Sequence, residues 1–392
     1  MAKEEREVKF WYTTSTGRHI PVFEGETKAD AVKRAFGDNR ANSGKTASNS
    51  QSKPVEDKQS REMAQAKERA TALNAEQEYK DRLVAGSKIE KKNGGLTFNG
   101  KPVDKLDTSD AGTKGKDSLA DHINEKGELS PKRLEVHRQI MEDYFKGRVG
   151  LKEGQTPVEH QPYGPNDEKV AMFTGGGGAS GKGAFGKNPG KFYSQNKNPL
   201  VIDPDEIKKQ LAKADGKELN DELTGYYHEE SSALAKQIFS TSLQNNYPTM
   251  FDGTATGVGS TLKKVALAEK HGYKTEMSFV FSDWSTVRQN SLDRYENTGR
   301  LVPPAQLLGA HQKAYGAVTE LQDKFDSFKV YDNAGRDLKL VGSQTGKQKL
   351  KITNTESFAR FSKSADEFKL STDEIDRYYA DVAKIKQKKY GK

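Results

Sequence analysis

The stretch VAMFTGGGGASGKGAFG, residues 170–186, decides the fold of this chain. An apolar run is followed by glycines and then by one lysine, Lys182. Gly176, Gly181 and Lys182 fill the fixed positions of the phosphate-binding pattern G-x-x-x-x-G-K-[ST], and KVAMFT supplies the preceding strand. Loop amides and a following helix N-terminus would hold the phosphates of a nucleotide. The candidate nucleotide-binding residues are Gly176, Gly177, Gly178, Ala179, Ser180, Gly181, Lys182 and Gly183.

One position of the loop departs from the pattern. Gly183 stands where a serine or threonine hydroxyl ordinarily ligates Mg²⁺, and Ala184 follows it. We expect phosphate oxygens, water and carboxylates to hold the ion instead, as this ion commonly allows. The loop is therefore predicted to bind a nucleotide with an altered metal site.

The composition limits the classes of protein to which the chain can belong. Of its 392 residues, 33% are hydrophobic and 31% are charged, with a formal net charge of +8. This is too polar for one compact core throughout, so part of the chain is expected to be extended or disordered. The basic excess suits an anionic ligand, but no aromatic-basic stacking platform favours a nucleic-acid partner.

Cysteine is absent, which excludes disulfides, thiolate catalysis and cysteine-zinc sites. The N-terminal residues lack the apolar core of a signal peptide, and no run approaches the length of a membrane span. We expect a cytoplasmic protein without a membrane partner.

The order of patterns predicts four regions. Residues 1–37 read as a small hairpin-helix element, and 38–118 as a polar linker or partly disordered helix. Residues 119–338 alternate strands and helices, which predicts an α/β fold with a parallel sheet and helices on both faces. Residues 339–392 are expected to form a mainly helical extension.

Two acids follow the predicted strand in LVIDPDEIKKQL, namely Asp203 and Asp205. The carboxyl end of a parallel strand borders the ligand crevice, so an acid there can accept a proton from an attacking hydroxyl. The alternative is that one acid caps the next helix. Asp205 is the favoured base, and Asp203 is assigned a structural or metal-binding role.

A third strand end, YPTMFDGTATG, carries Asp252 and Thr254. Asp252 is a candidate for orienting Mg²⁺ or substrate, and Thr254 for binding a substrate hydroxyl or phosphate. The alternative is a strand-end turn with local side-chain caps.

The segment SDWSTVRQNSLDRYENTGRLVPP contains Arg288, Arg294 and Arg300. Gly299 and the prolines that follow predict that a helix ends there and the chain turns back. Arg294 and Arg300 would then converge on the transferred phosphoryl group, which suits the planar donors of arginine. Taken alone, these arginines could equally be surface residues.

Over about residues 130–332 these motifs resemble the zeta-toxin family of phosphate-loop kinases. VIDPDE matches the family's acidic strand end, FDGTATG is similar to its EGTGR turn, and DRYENTGRLVP resembles its arginine lid. The resemblance implies ATP or GTP with Mg²⁺, catalytic roles for Lys182, Asp205, Arg294 and Arg300, and phosphorylation of a sugar hydroxyl of UDP-N-acetylglucosamine. The chain departs from the family at Gly183, at Asp252 in place of glutamate, and at Lys236 in place of a substrate-binding glutamate.

The N-terminal stretch FWYTTSTGRHIPVFEGETKADAVKRAF resembles a segment of phage structural or head-associated proteins. This suggests a phage-encoded, virion-associated protein, with a phage structural protein or an antitoxin as partner. Two alternatives to the kinase of nucleotide-sugars stay open. One is a structural phage protein with a degenerate nucleotide-binding domain, and the other is a polynucleotide kinase.

Overall fold

The structure is a computed structural model, and it describes residues 8–13, 19–23, 26–27, 30, 53–151, 154–194, 197–298, 301–302 and 304–390. The chain divides into two compact units, Met1–Arg69 and Ala70–Lys392.

The first unit contains the predicted hairpin. Strand β1, Val8–Thr13, pairs antiparallel with β2, His19–Phe23, which confirms the strand pair. The short helix predicted over residues 28–36 lies outside the described residues, apart from Asp30.

Helix α1, Lys53–Ala85, is the solvated helix that the sequence predicts. Met63 and Leu73 are 72% and 70% exposed, because the apolar stripe of the helix is too thin to need a packing partner. No helix among the described residues is both long enough and apolar enough to cross a bilayer.

Part of the predicted polar linker is packed into the second unit. Strands β3 (Ile89–Lys92), β4 (Gly95–Phe98) and β5 (Lys101–Pro102) form an antiparallel sheet within this region. Phe98 is 2% exposed, and its ring lies 4.7 Å from that of Phe145. A few apolar side chains in a polar stretch are enough to fix it when a neighbouring helix covers them.

The main sheet of the second unit has seven strands in the order β12-β11-β10-β9-β6-β8-β7. The five strands β7, β8, β6, β9 and β10, in this order across the sheet, are parallel, as predicted. Strands β11 and β12 add an antiparallel edge. The strands are β6 Val170–Gly175, β7 Leu200–Ile202, β8 Thr249–Phe251, β9 Lys274–Phe281, β10 Ser327–Asp332, β11 Lys339–Thr345 and β12 Lys351–Ile352. The predicted helical extension therefore begins with two strands of this sheet.

Helices surround the sheet and follow its parallel strands. They are α2 Ser118–His122, α3 Pro131–Phe145, α4 Gly183–Lys187, α5 Pro189–Phe192, α6 Pro204–Ala214, α7 Asp221–Tyr226, α8 His228–Gln244, α9 Val258–Lys270, α10 Trp284–Thr298, α11 Pro304–Gln312, α12 Ala314–Leu321, α13 Thr355–Ser362, α14 Ser364–Glu367 and α15 Thr372–Tyr390. A short 3₁₀ helix spans Ala334–Arg336.

Strand β6 lies in the middle of the sheet, and all its residues are buried, which explains its continuous apolar run. The next strand in the chain, β7, lies on one side of β6, and β9 lies on the other. Such a change of direction opens a crevice at the carboxyl ends of the strands. The predicted phosphate loop begins there.

Candidate functional site

The loop after β6 is shaped by close contacts that only glycine permits. The φ angles of Gly176 and Gly181 are 125° and 102°, which L-residues with side chains rarely adopt. A Cβ atom on Gly176 would lie 2.1 Å from the carbonyl oxygen of Val280. A Cβ on Gly181 would lie 2.3 Å from Nδ2 of Asn333. The two pattern glycines are therefore required by the fold of the loop itself.

Side chains hold every carbonyl group from Gly176 to Ser180. The Nζ atom of Lys182 donates to the carbonyl oxygens of Gly176 and Gly177, at 2.8 Å each. The Ser180 hydroxyl also donates to Gly177 at 2.8 Å. The remaining donors are His311 to Gly178 at 2.9 Å, Asn290 to Ala179 at 2.9 Å and Asn333 to Ser180 at 3.0 Å.

These bonds leave the loop amides for another acceptor. Within the described residues, the amides of Gly178, Gly181, Lys182 and Gly183 have no backbone acceptor. Loop amides without a backbone acceptor are the groups that bind anions in loops of this kind, and α4 begins directly after them at Gly183. The loop has the form of a phosphate site.

His311 is part of this loop structure, and no sequence motif indicated it. The residue is 1% exposed, and its ring stacks on that of Phe368 with centroids 4.3 Å apart. Burial lowers the pKa of His311 to about 4. The imidazole is therefore neutral near pH 7, and Nε2 must carry the proton that it donates to Gly178.

The charges around Lys182 define the centre of the site. Burial lowers the pKa of the Lys182 ammonium, the carboxylates of Asp252, Asp203 and Asp205 oppose this, and Arg294 lowers it further. Coulombic effects of this kind fall off with distance. The residues that follow β6, β7 and β8, together with Asp205 on α6 and Arg294 on α10, therefore lie near one another. The structure thus brings together five of the predicted residues.

Asp252 lies directly after β8 and is tied to the loop strand. The hydroxyl of Thr174 donates to Oδ1 of Asp252 and accepts the amide hydrogen of Gly253 at 3.0 Å. The amide of Gly176 donates to the carbonyl oxygen of Thr254 at 2.9 Å. The Thr254 hydroxyl is exposed and bonded to that of Thr256 at 2.9 Å, as in the local-turn alternative.

Asp203 and Asp205 occupy different environments. Asp203 caps α6 by accepting the amide hydrogen of Asp205 at 2.8 Å, so the capping alternative holds for this residue. The Asp205 carboxylate is partly exposed and lies 3.1 Å from Nζ of the buried Lys208. The acid predicted as the base is therefore partly exposed and paired with a lysine.

The structure describes two of the three predicted arginines, and these two have different contacts. Arg288 forms an ion pair with Asp381 of the C-terminal helix α15. Arg294 lies close enough to Lys182 to affect its pKa. Arg300 lies outside the described residues, although α10 ends at Thr298, in agreement with the predicted turn.

The acids at the strand ends suit Mg²⁺ in chemistry but do not enclose it. In the described part of the chain, no group of three or more His, Asp or Glu side chains is placed to hold a metal ion. Asp203 and Asp252 follow adjacent strands, and the Asp252 amide donates to the carbonyl of Ile202 at 2.9 Å. Hard carboxylate oxygens of this kind fit an ion that is otherwise held by phosphates and water.

A buried ionic network connects α3 and α8 with the C-terminal end of α6, the helix that carries Asp205. Arg133 donates from Nε and Nη2 to the two carboxylate oxygens of Glu230, at 2.6 and 2.8 Å, and from Nη1 to Asp215 at 2.7 Å. His137 also donates to Glu230, at 2.7 Å. Burial favours the protonated acid, but these donors outweigh it, and the pKa of Glu230 lies far below its ordinary value. The network ties α3, α6 and α8 together.

Comparison with known proteins agrees with the motifs. Residues 156–340 match the model of the Zeta toxin family, which confirms the predicted resemblance. No curated protein sequence matches the chain. The second unit therefore contains a zeta-toxin-like kinase fold.

The solved structures that are similar to this chain include two of one complex and one of a toxin-antitoxin system. The native crystal structure of the AvrRxo1-ORF1:-ORF2 complex has a TM-score of 0.47 and 15% identity, covering 66% of this chain and 86% of that chain. The same complex with ATP has a TM-score of 0.47 and 14% identity, covering 67% and 87%. The PezAT chromosomal toxin-antitoxin system of Streptococcus pneumoniae has a TM-score of 0.41 and 15% identity, covering 60% and 96%. These likenesses say nothing of the activity of this chain.

Proposed function

We propose that this protein is a kinase that transfers the γ-phosphoryl group of ATP or GTP to a sugar hydroxyl of a nucleotide-sugar such as UDP-N-acetylglucosamine. The observation that carries the proposal is the charge pattern around Lys182. The ammonium group of Lys182, on a phosphate-type loop, is within electrostatic reach of three carboxylates and an arginine. Phosphoryl transfer needs this combination of nucleotide cradle, base and cation.

Each group has one task in the proposed reaction. Lys182 and the loop amides bind the β- and γ-phosphates. Asp205 accepts the proton of the acceptor hydroxyl. The hydroxyl oxygen forms a bond to the γ-phosphorus while the bond between the γ-phosphorus and the β-γ bridging oxygen breaks. Arg294, with Arg300, stabilises the negative charge of the transferred group.

Asp203 and Asp252 would orient Mg²⁺ through its water ligands, and Thr254 is the proposed contact to the acceptor. The ion would neutralise charge on the β- and γ-phosphate oxygens. Neither carboxylate has both oxygens available, because Asp203 accepts the Asp205 amide hydrogen and Asp252 accepts the Thr174 hydroxyl hydrogen. Most of the ion's ligands would therefore come from phosphate and water.

One lysine near β8 favours an acceptor that is itself negatively charged. The Nζ atom of Lys264 lies 4.6 Å from the ring centroid of Phe251, one residue before Asp252. Burial, and then the charge of Lys236, lower the pKa of Lys264 to about 8. Lys236 already pairs with Asp107 at 3.2 Å. An anion beside Lys264 would offset the cost of burying its charge, and the diphosphate of a nucleotide-sugar is such a group.

Transfer of label from γ-labelled ATP or GTP tests the proposal. Wild-type protein with Mg²⁺ is incubated with UDP-N-acetylglucosamine, other nucleotide-sugars, free sugars and single-stranded DNA. We expect label on a nucleotide-sugar, and loss of at least about a hundredfold in rate for Lys182→Ala and Asp205→Asn, since each removes a group needed in the transition state. Lys187→Ala, an exposed lysine at the end of α4, is the matched control.

Other outcomes separate the remaining alternatives. Label on DNA would replace the proposal with a polynucleotide kinase. Calorimetry that detects ATP binding without transfer to any acceptor would favour a structural protein with a degenerate site. Full activity in Asp205→Asn would remove this residue from the mechanism. An antitoxin that suppresses growth arrest on co-expression would support a toxin role in the cytoplasm.

A further inference from the structure

The C-terminal helix α15 packs along α10, the helix that carries Arg294. Helix α10 lies within the family match, which ends at residue 340, whereas α15 begins at Thr372 and is therefore an addition to the matched domain. Leu292 of α10 is buried against Tyr378 and Val382 of α15. The ring of Trp284, at the start of α10, lies 6.0 Å from that of Tyr378. Among the described elements, α15 is the most extensive packing partner of α10.

Two polar contacts fix the register of this packing. The hydroxyl groups of Ser291 and Tyr378 are hydrogen-bonded at 2.7 Å, and these residues are 2% and 0% exposed. One turn away, Arg288 forms an ion pair with Asp381. A buried hydrogen bond and an ion pair resist sliding and rotation, because any shift would leave polar groups without partners.

An adjacent face of α10 contacts the phosphate loop. Asn290 donates to the carbonyl oxygen of Ala179 at 2.9 Å, and Arg294 influences Lys182. Residues 290 and 294 are four apart and share a face, whereas residues 288, 291 and 292 form a face about a third of a turn away, at 3.6 residues per turn. Helix α10 therefore contacts both the loop and the C-terminal extension.

We propose that Asp381 and Tyr378 are positioning residues that hold α10 so that Asn290 and Arg294 meet the phosphate loop. The C-terminal extension would thus complete the site rather than form a separate appendage. The effect of this packing on the catalytic rate rests on the proposed kinase function. The effect on the position of the phosphate loop does not. Misplacement of a catalytic group by about 1 Å is enough to slow a reaction severely.

The structural arm of the test needs no activity. Hydrogen-deuterium exchange is measured on the full-length, nucleotide-free protein and on Tyr378→Phe and Asp381→Asn. We expect faster exchange in peptides covering α10 and in the loop peptide 176–183. Lys388→Gln, which breaks only an exposed pair with Glu296, is the matched control and is expected to match the wild type. Faster exchange confined to residues 372–390, or no change in any peptide, would overturn the proposal.

The catalytic arm separates this proposal from the kinase proposal. With an acceptor that wild type phosphorylates, Tyr378→Phe and Asp381→Asn should lower kcat about tenfold while KM for ATP changes less than about twofold. The double variant Arg288→Asp/Asp381→Arg should recover most of kcat. Unchanged kcat in both single variants contradicts a positioning role. An inactive wild type contradicts the kinase alone, and the exchange experiment then decides the positioning proposal.

Discussion

At the residue scale, the glycines of the phosphate loop have different reasons to be glycine. Gly176 and Gly181 adopt left-handed φ angles, and Gly177 is pressed against His311, whose Nε2 atom would lie 2.3 Å from an added Cβ. Gly183 is different, because no atom lies within 4 Å of the position that its Cβ would occupy. Packing therefore does not require glycine at position 183, and a serine side chain would fit there.

This contrast gives a matched pair of variants. Gly183→Ser should fold normally and restore a metal-binding hydroxyl, raising the affinity for ATP in the presence of Mg²⁺ about fivefold, equivalent to about 1 kcal/mol. Gly181→Ser should abolish ATP binding and lower the free energy of unfolding by about 2 kcal/mol or more, through strain and a clash with Asn333. Calorimetric titration and denaturant unfolding measure both effects. Equal behaviour of the two variants would contradict this account of the loop.

At the element scale, the buried Glu230 network joins α6, the helix that carries Asp205, to α3 and α8. Arg133 comes from α3, Glu230 from α8, and Asp215 from the residue after α6. Arg133 is 2% exposed and Glu230 is 0% exposed, so water does not solvate either charge. Loss of Glu230 would leave the buried Arg133 with its bond to Asp215 but without its two bonds to Glu230. An incompletely compensated buried charge is among the costliest single changes in a protein.

Glu230→Gln should lower the free energy of unfolding by about 3–5 kcal/mol at pH 7. Glu229→Gln, which breaks a bond to the exposed Lys114, is the control and should cost about 1 kcal/mol or less. The wild type should also lose stability as the pH falls below the ordinary carboxyl pKa, because the unfolded chain takes up a proton there that folded Glu230 resists. Denaturant titrations between about pH 3 and 7 measure this linkage. The free energy of unfolding should depend less on pH in Glu230→Gln than in the wild type. An equal dependence on pH in the two proteins would count against the network.

At the scale of the whole molecule, every described residue of the candidate site lies in the unit from Ala70 onward. The loop, the strand-end acids and α10 all fall within that unit, and so does the extension that packs on α10. The unit Met1–Arg69 contributes none of these groups. The division of the chain thus separates the candidate chemistry from the N-terminal hairpin.

A chain that starts at Ala70 should keep nucleotide binding. We expect its affinity for ATP to lie within about twofold of that of the full chain, and its thermal midpoint to change by only a few degrees, since the core of the second unit is intact. Calorimetric titration and thermal unfolding are the measurements. A truncated chain that folds but no longer binds ATP would show that the first unit takes part in the site.

Local sequence determined the nucleotide loop, the parallel sheet and the strand-end acids of this protein. Each depends on residues within a few positions of one another: an apolar run before glycines, an acid after a strand, a turn of Gly and Pro after a helix. The resemblance to zeta toxins rests on the same short motifs and is confirmed over residues 156–340. The catalytic roles of Lys182, Asp205 and Arg294 stay predictions.

Only the tertiary structure decided what holds these motifs in place. Asn290, His311 and Asn333 each bind a carbonyl of the loop from 111, 133 and 153 positions away, and no local pattern marks them. The packing of α15 on α10, and the burial of the small β3-β4-β5 sheet, were equally invisible in a polar sequence. A motif specifies its own backbone through nearby residues, whereas the partners that fix its position are brought together only when the whole chain folds.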